Sequence, residues 1–198
     1  LRNPTANESF TSLEGYNYLF ADYGDYDLTF ESNPLWELTT ALANYPIEYK
    51  EDTILPVYQF GFRPTQLVSE VIPYLSASPT RCDRVATYWL NYSNTGTVTA
   101  KGQISLEVNE GMEFVEAIPP PSLIEGNKLT WNFTDLYPTY ENKIRVRFEM
   151  PDFNSMGMVF ESRAELELFH ENEIPIYTHS TEYDSELLCS YDPNDKLA

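Results

Sequence analysis

Ile144-Arg145-Val146-Arg147-Phe148-Glu149-Met150 decides the fold class. Four apolar side chains alternate with three charged ones, a period of two that turns one face of a pleated strand to a core and the other to solvent. The same period recurs upstream, with Ile104, Leu106 and Val108 facing in and Gln103, Ser105 and Glu107 facing out, and again in Leu129, Trp131 and Phe133. Residues 67–75, 85–92, 114–118 and 160–169, and a closing pair at 174–181 and 187–191, read as further strands. A turn is expected at Ser76-Ala77-Ser78-Pro79-Thr80, and others at Asn94-Thr95-Gly96 and Glu125-Gly126-Asn127. Short strands at about ten-residue spacing with such turns predict an immunoglobulin-like β-sandwich over residues 64–198.

Composition agrees. The 198 residues include 15 Tyr and 11 Phe against only 8 Gly, a mixture suited to half-buried strands. Fourteen prolines, three of them consecutive at Pro119-Pro120-Pro121, break the chain repeatedly, and no window of twelve or more residues keeps the apolar period of an amphipathic helix free of breakers. Twelve Lys and Arg against 31 Asp and Glu give a net charge of −19, which disfavours a nucleic-acid backbone or an anionic lipid surface as partner. Apolar runs fall far short of the roughly 20 residues a membrane span needs, and Leu1 opens no basic-then-apolar export leader.

Residues 1–63 read as a smaller β module. Tyr16, Tyr18 and Phe20 recur at every second position and predict one strand, and Tyr26, Leu28 and Phe30, with Asp27 and Thr29 between them, a second beyond a turn at Gly24. Tyr45, Ile47 and Tyr49, then Leu55, Val57, Phe60 and Phe62, continue the pattern. Gly15-Tyr16-x-Tyr18-x-Phe20, Gly24-x-Tyr26-x-Leu28 and Phe60-Gly61-Phe62 resemble the second half of Cna-B-like, or serine-aspartate-repeat B-like, stalk modules of bacterial surface proteins, over residues 12–63. That resemblance implies further strands upstream of Leu1. A half-sandwich exposes an apolar face and an unpaired edge, to be completed by another segment or another chain, unless residues 1–63 close as a small sheet beside the second domain.

Three stretches of the second domain resemble one family. Tyr88-Trp89-Leu90-Asn91-Tyr92-Ser93-Asn94-Thr95-Gly96, then Leu129-Thr130-Trp131-Asn132-Phe133, and above all Ser190-Tyr191-Asp192-Pro193-Asn194-Asp195-Lys196 are similar to the conserved-repeat immunoglobulin-like domains of large secreted Bacteroidota surface proteins. The resemblance covers residues 80–196 and implies an extracellular, cell-surface setting reached by type IX secretion. It supplies no catalytic position.

Cys82 and Cys189, the two cysteines of the chain, stand at opposite ends of the second domain. In a secreted sandwich that placement fits a disulfide clasping first strand to last, the alternative being two unrelated buried thiols. Asp192, Asn194 and Asp195 gather hard oxygen ligands on a proline-stiffened turn and are candidate calcium ligands, although an Asx-type corner between domains uses the same residues. Asp22, Asp25 and Asp27 form a second acidic cluster, with Asp25 and Asp27 on one strand face. Neither His170 nor His179 sits in a recognisable nucleophile, metalloprotease or phosphate-loop motif, so the chain is read as not an enzyme and without a resident cofactor, calcium apart. Glu161, Glu165 and Glu167 read as a solvated strand face. Trp131 belongs to the core set, whereas Trp89 falls out of phase with Tyr88 and Leu90 and is expected either to pack between domains or to meet a glycan or protein ligand. The expected function is that of a stalk, spacer or adhesive module whose partners are other domains of the same surface protein, with two alternatives. One is a filament protomer assembled by strand exchange with its neighbours, the other a carbohydrate-binding accessory module.

Overall fold

A computed structural model of the chain describes residues 18–30, 33–169 and 175–189, which divide between two compact units, Leu1–Gln66 and Leu67–Ala198. The fold is all-β: a smaller β module precedes an immunoglobulin-like sandwich. Among the described residues the one helical element is a single 3₁₀ turn at Phe153–Ser155, whose first amide hydrogen bonds are organised by the Asp152 side chain accepting from the Asn154 N–H.

The first unit holds β1 (Gly24–Thr29), β2 (Trp36–Leu38), β3 (Asn44–Tyr49) and β4 (Phe62–Pro64). β1 pairs antiparallel with β3, and β2 with β4. The expected hairpin between residues 16–20 and 26–30 does not form: residues 18–22 carry no strand, and Tyr16 lies outside the described residues. β3 takes that place because its alternation matches β1, setting Tyr26 opposite Ile47 and Leu28 opposite Tyr45 on one half-buried face. Tyr18 and Phe20 are left 80% and 89% exposed. The run from Leu55 to Phe62 also yields less strand than its pattern suggests, since Pro56 has no N–H to give a ladder and pairing starts only at Phe62. Aromatic rings supply the unit's packing, with Phe30 against Phe60 and Phe62 and Tyr45 against Tyr58 and Phe60, at centroid separations of 5.0 to 5.8 Å.

The second unit begins with β5 (Val71–Ala77), β6 (Val85–Asn94), β7 (Ala100–Val108) and β8 (Glu113–Ile118). It continues with β9 (Leu123–Glu125), β10 (Lys128–Leu136), β11 (Glu141–Glu149), β12 (Val159–Phe169) and β13 (Pro175–Glu186). One sheet has the order β5-β6-β11-β8 and the other β13-β12-β7-β10-β9. With β11 as strand E, these are the ABED and GFC sheets of an immunoglobulin fold, carrying β10 and β9 as extra strands beside C. Tyr88, Leu90, Val146 and Phe148 from the first sheet meet Ile104, Leu106, Trp131 and Leu166 from the second, all of them buried. Trp131 lies in the core as its phase requires, and its indole N–H donates to the Pro119 carbonyl at 2.9 Å, so the one polar atom of the ring is satisfied.

Two boundaries differ from expectation for a stated reason. β5 starts at Val71 rather than at residue 67, because Val68 and Glu70 hydrogen bond to the loop after β6 instead of to a strand, and it runs through Ser76 and Ala77 so that the turn begins at Ser78. Of the strand expected at 187–191, residues 187–189 are described and hold only a parallel bridge between Leu188 and Arg81. Glycine is required where two neighbouring strands of one sheet crowd: a Cβ at Gly102 on β7 would come within 2.1 Å of the Glu167 carbonyl oxygen on β12.

Candidate functional site

Three features of the second unit bear on function: the cysteine end, the outer face of the β5-β6-β11-β8 sheet, and the loop after β6. At the cysteine end the chain leaving β5 turns alongside the chain leaving β13. The Thr80 hydroxyl donates to the Glu186 carbonyl at 2.8 Å, the Leu188 N–H to the Thr80 carbonyl at 3.1 Å, and the Cys82 N–H to the Leu188 carbonyl at 3.4 Å. These bonds lay the two segments parallel and bring the Cα atoms of Cys82 and Cys189 to 5.1 Å, where a disulfide joins them across 107 residues.

The outer sheet face carries Tyr74 and Trp89, 62% and 41% exposed. Their strands pair with Tyr74 opposite Asn91 and Ser76 opposite Trp89, so the two rings are diagonal neighbours, with backbones roughly 7 to 8 Å apart. Arg145 stands directly across from Trp89 on β11. Its guanidinium reaches Glu116 at 3.5 Å, and Arg147 reaches the same carboxylate at 3.1 Å. Two exposed aromatics on one sheet face, beside arginines paired with Glu116, suit packing against a sugar ring or an apolar protein side chain. Tyr74 escaped the sequence reading because Val71-Ile-Pro-Tyr-Leu75 is apolar on both faces, which hides which side meets solvent.

The loop after β6 is organised by Asn94, which is buried and fully hydrogen bonded. Its Nδ2 donates to the carbonyls of Val98 and Leu136, each at 2.8 Å, and its Oδ1 accepts from the Gly96 N–H at 2.9 Å. The loop in turn holds the lead-in to β5. The amides of Thr95 and Gly96 donate to the Glu70 carbonyl, those of Thr97 and Val98 to the Val68 carbonyl, and the Thr95 hydroxyl donates to the Glu70 carboxylate at 2.8 Å. A Cβ on Gly96 would sit 2.3 Å from the Val68 carbonyl oxygen, so this approach admits no side chain.

The other singled-out residues are placed as follows. Asp25 and Asp27 occupy the exposed face of β1, and the Asp22 carbonyl accepts from the Tyr26 hydroxyl at 2.7 Å. Among the described residues no three His, Cys, Asp or Glu side chains group as ligands for a metal ion. Asp192, Asn194 and Asp195, the motif at 190–196 and His170 lie outside the described residues. His179 sits in β13 opposite Leu166. Glu161 is exposed, whereas Glu165 and Glu167 are half-buried, the first 3.6 Å from Arg163 and the second accepting from Gln103 at 2.7 Å. Among the described residues no helix is long and apolar enough to cross a membrane.

Burial pushes the Tyr88 phenol above its ordinary value, against the lowering effect of a hydrogen bond with Ser185 at 3.2 Å. Burial likewise raises Tyr92, whose oxygen accepts from Asn142 at 3.2 Å. Both phenols stay protonated at neutral pH and act as structural ties.

No family model matches the sequence, and no curated protein matches it. Among solved structures the chain is similar to the major pilin subunit of Bacillus cereus (10% identity, TM-score 0.46, covering 85% of this chain and 56% of the other). It is also similar to a CARDB domain from Pyrococcus furiosus crystallised with di-metal ions (12%, 0.41, 72% and 100%). A third likeness is to the collagen-binding domain of a Staphylococcus aureus adhesin (10%, 0.38, 60% and 99%). At these identities and TM-scores the likenesses identify neither a family nor a ligand.

Proposed function

We propose that the chain is a non-catalytic, extracellular segment of a bacterial surface protein that serves as a stalk or spacer with an adhesive face. The observation that carries this reading is the placement of the second unit's ends. β5 starts beside Asn94 and advances to Ala77 beside Tyr88, and its continuation at Arg81 then pairs in parallel with Leu188 at the end of the last strand. The chain therefore enters at one pole and leaves at the other, at least the length of β5, about 20 Å, away. Modules with that polarity string end to end and add length. A disulfide suits an oxidising exterior, and the charge of −19 keeps crowded copies apart. The Bacteroidota and type IX context, and a calcium role for Asp192, Asn194 and Asp195, belong to the same proposal through the motif at 190–196.

The runner-up reading, a filament protomer completed by strand exchange, draws on the first unit, where none of the described hydrophobic side chains is buried as deeply as the sandwich core. Surface display is tested by labelling intact and lysed source cells with an antibody to the protein. Equal labelling of both is expected; labelling confined to lysed cells contradicts the proposal.

A further inference from the structure

We infer that the second unit is a covalently bypassed tension element: pulling force runs along β5, held in shear to β6 and the loop after it, and out through the Cys82–Cys189 bond, so that it cannot draw out the strands from β6 to β13. The inference deepens the spacer reading and rests on it for its biological meaning. Its geometry stands on three observations. Tension from the first unit enters at Leu67 and leaves after Cys189, and the disulfide connects residue 82 directly to residue 189, a sequence separation of 107, taking the chain between them out of the load path. Only residues 67–82 remain in series, and seven of these already form extended strand in β5, whose start and end lie at opposite poles.

The entry point is fastened as well. Val68 and Glu70 receive four backbone amides from residues 95–98, the Val68 N–H donates to the Thr97 hydroxyl at 2.8 Å, and the Thr95 hydroxyl holds the Glu70 carboxylate. These bonds and the β5–β6 ladder lie across the direction of pull, so they are loaded together in shear rather than opened one at a time. The fixed end is covalent and the free end is latched. The result is a spacer that hardly lengthens until the latch breaks, and then by less than the full contour of residues 67–82, about 50 Å, part of which β5 already spans.

Single-molecule pulling on the full chain through its two termini tests this, with oxidised protein, with reductant, and with the variants Cys82→Ala/Cys189→Ala and Thr95→Val/Thr97→Val. The oxidised chain is expected to show a fully extended length shorter than the reduced chain by about 350 to 390 Å, the contour of the bypassed residues, whether or not the reduced unit refolds. The Cys82→Ala/Cys189→Ala variant should match the reduced length. The oxidised Thr95→Val/Thr97→Val variant should keep the short length while its β5 detachment event moves to lower force. Equal extended lengths with and without reductant, or a detachment force unchanged in the Thr95→Val/Thr97→Val variant, would overturn the inference. Failure of the antibody labelling would instead remove the surface reading and leave the load path standing.

Discussion

Asn94 donates from its side-chain amide to the carbonyl of Leu136, 2.8 Å away in space and 42 residues away in sequence. One side chain thereby closes the turn between β6 and β7 and caps the end of β10, which belongs to the facing sheet. The Asn-x-Gly pattern that reads as a simple turn is in fact a tie between sheets, with Gly96 holding the lead-in to β5.

Asn94→Ala removes both donors and the acceptor and leaves buried carbonyls unpaired, at a cost of about 2 to 3 kcal/mol. Urea denaturation measures it. A loss below about 0.5 kcal/mol would mean that water replaces the side chain.

Gly96→Ala forces a Cβ onto the Val68 carbonyl oxygen, where 2.3 Å of space is available. The expected destabilisation is about 1 to 3 kcal/mol, accompanied by faster hydrogen exchange at the amides of residues 95–98. Unchanged protection there would show that the lead-in is held by other contacts.

Tyr88 and Tyr92 have raised phenol values in the folded state, so folded protein binds their protons more tightly than unfolded chain does. Their contribution is complete below the unfolded value of about 10 and declines as pH rises past it toward the folded values. Denaturation midpoints should therefore fall above about pH 10, and less so in Tyr88→Phe. An identical alkaline profile for wild type and Tyr88→Phe contradicts this.

Reduction of the Cys82–Cys189 bond opens a loop of 107 residues, worth at most about 4 to 5 kcal/mol by chain entropy. Denaturation with and without reductant should differ toward that amount, and Cys82→Ala/Cys189→Ala should lose the reductant effect. No difference in the wild type would leave the bond without a stabilising role.

The second unit was largely legible in the sequence because its strands are amphipathic: Ile144, Val146 and Phe148, or Leu129, Trp131 and Phe133, alternate cleanly with polar residues and face a deep core. The first unit was less so. Its aromatics alternate in residues 18–20 as clearly as in β1, and the choice of β3 as partner depends on long-range register that alternation does not encode. Trp89 was correctly separated from the core by phase, whereas Tyr74 was masked in a strand apolar on both faces. Asn94 and Gly96 carried no recognisable signal beyond a turn, since their partners, Leu136 and Val68, lie 42 and 28 residues away.

The most direct test of the spacer account is the mass of this 198-residue chain in solution, by light scattering across concentration with parallel negative-stain imaging. The account predicts a monomer of 22.9 kDa whose size does not change on dilution. Ordered polymers that survive dilution would contradict it and make strand exchange through the first unit the function of the chain.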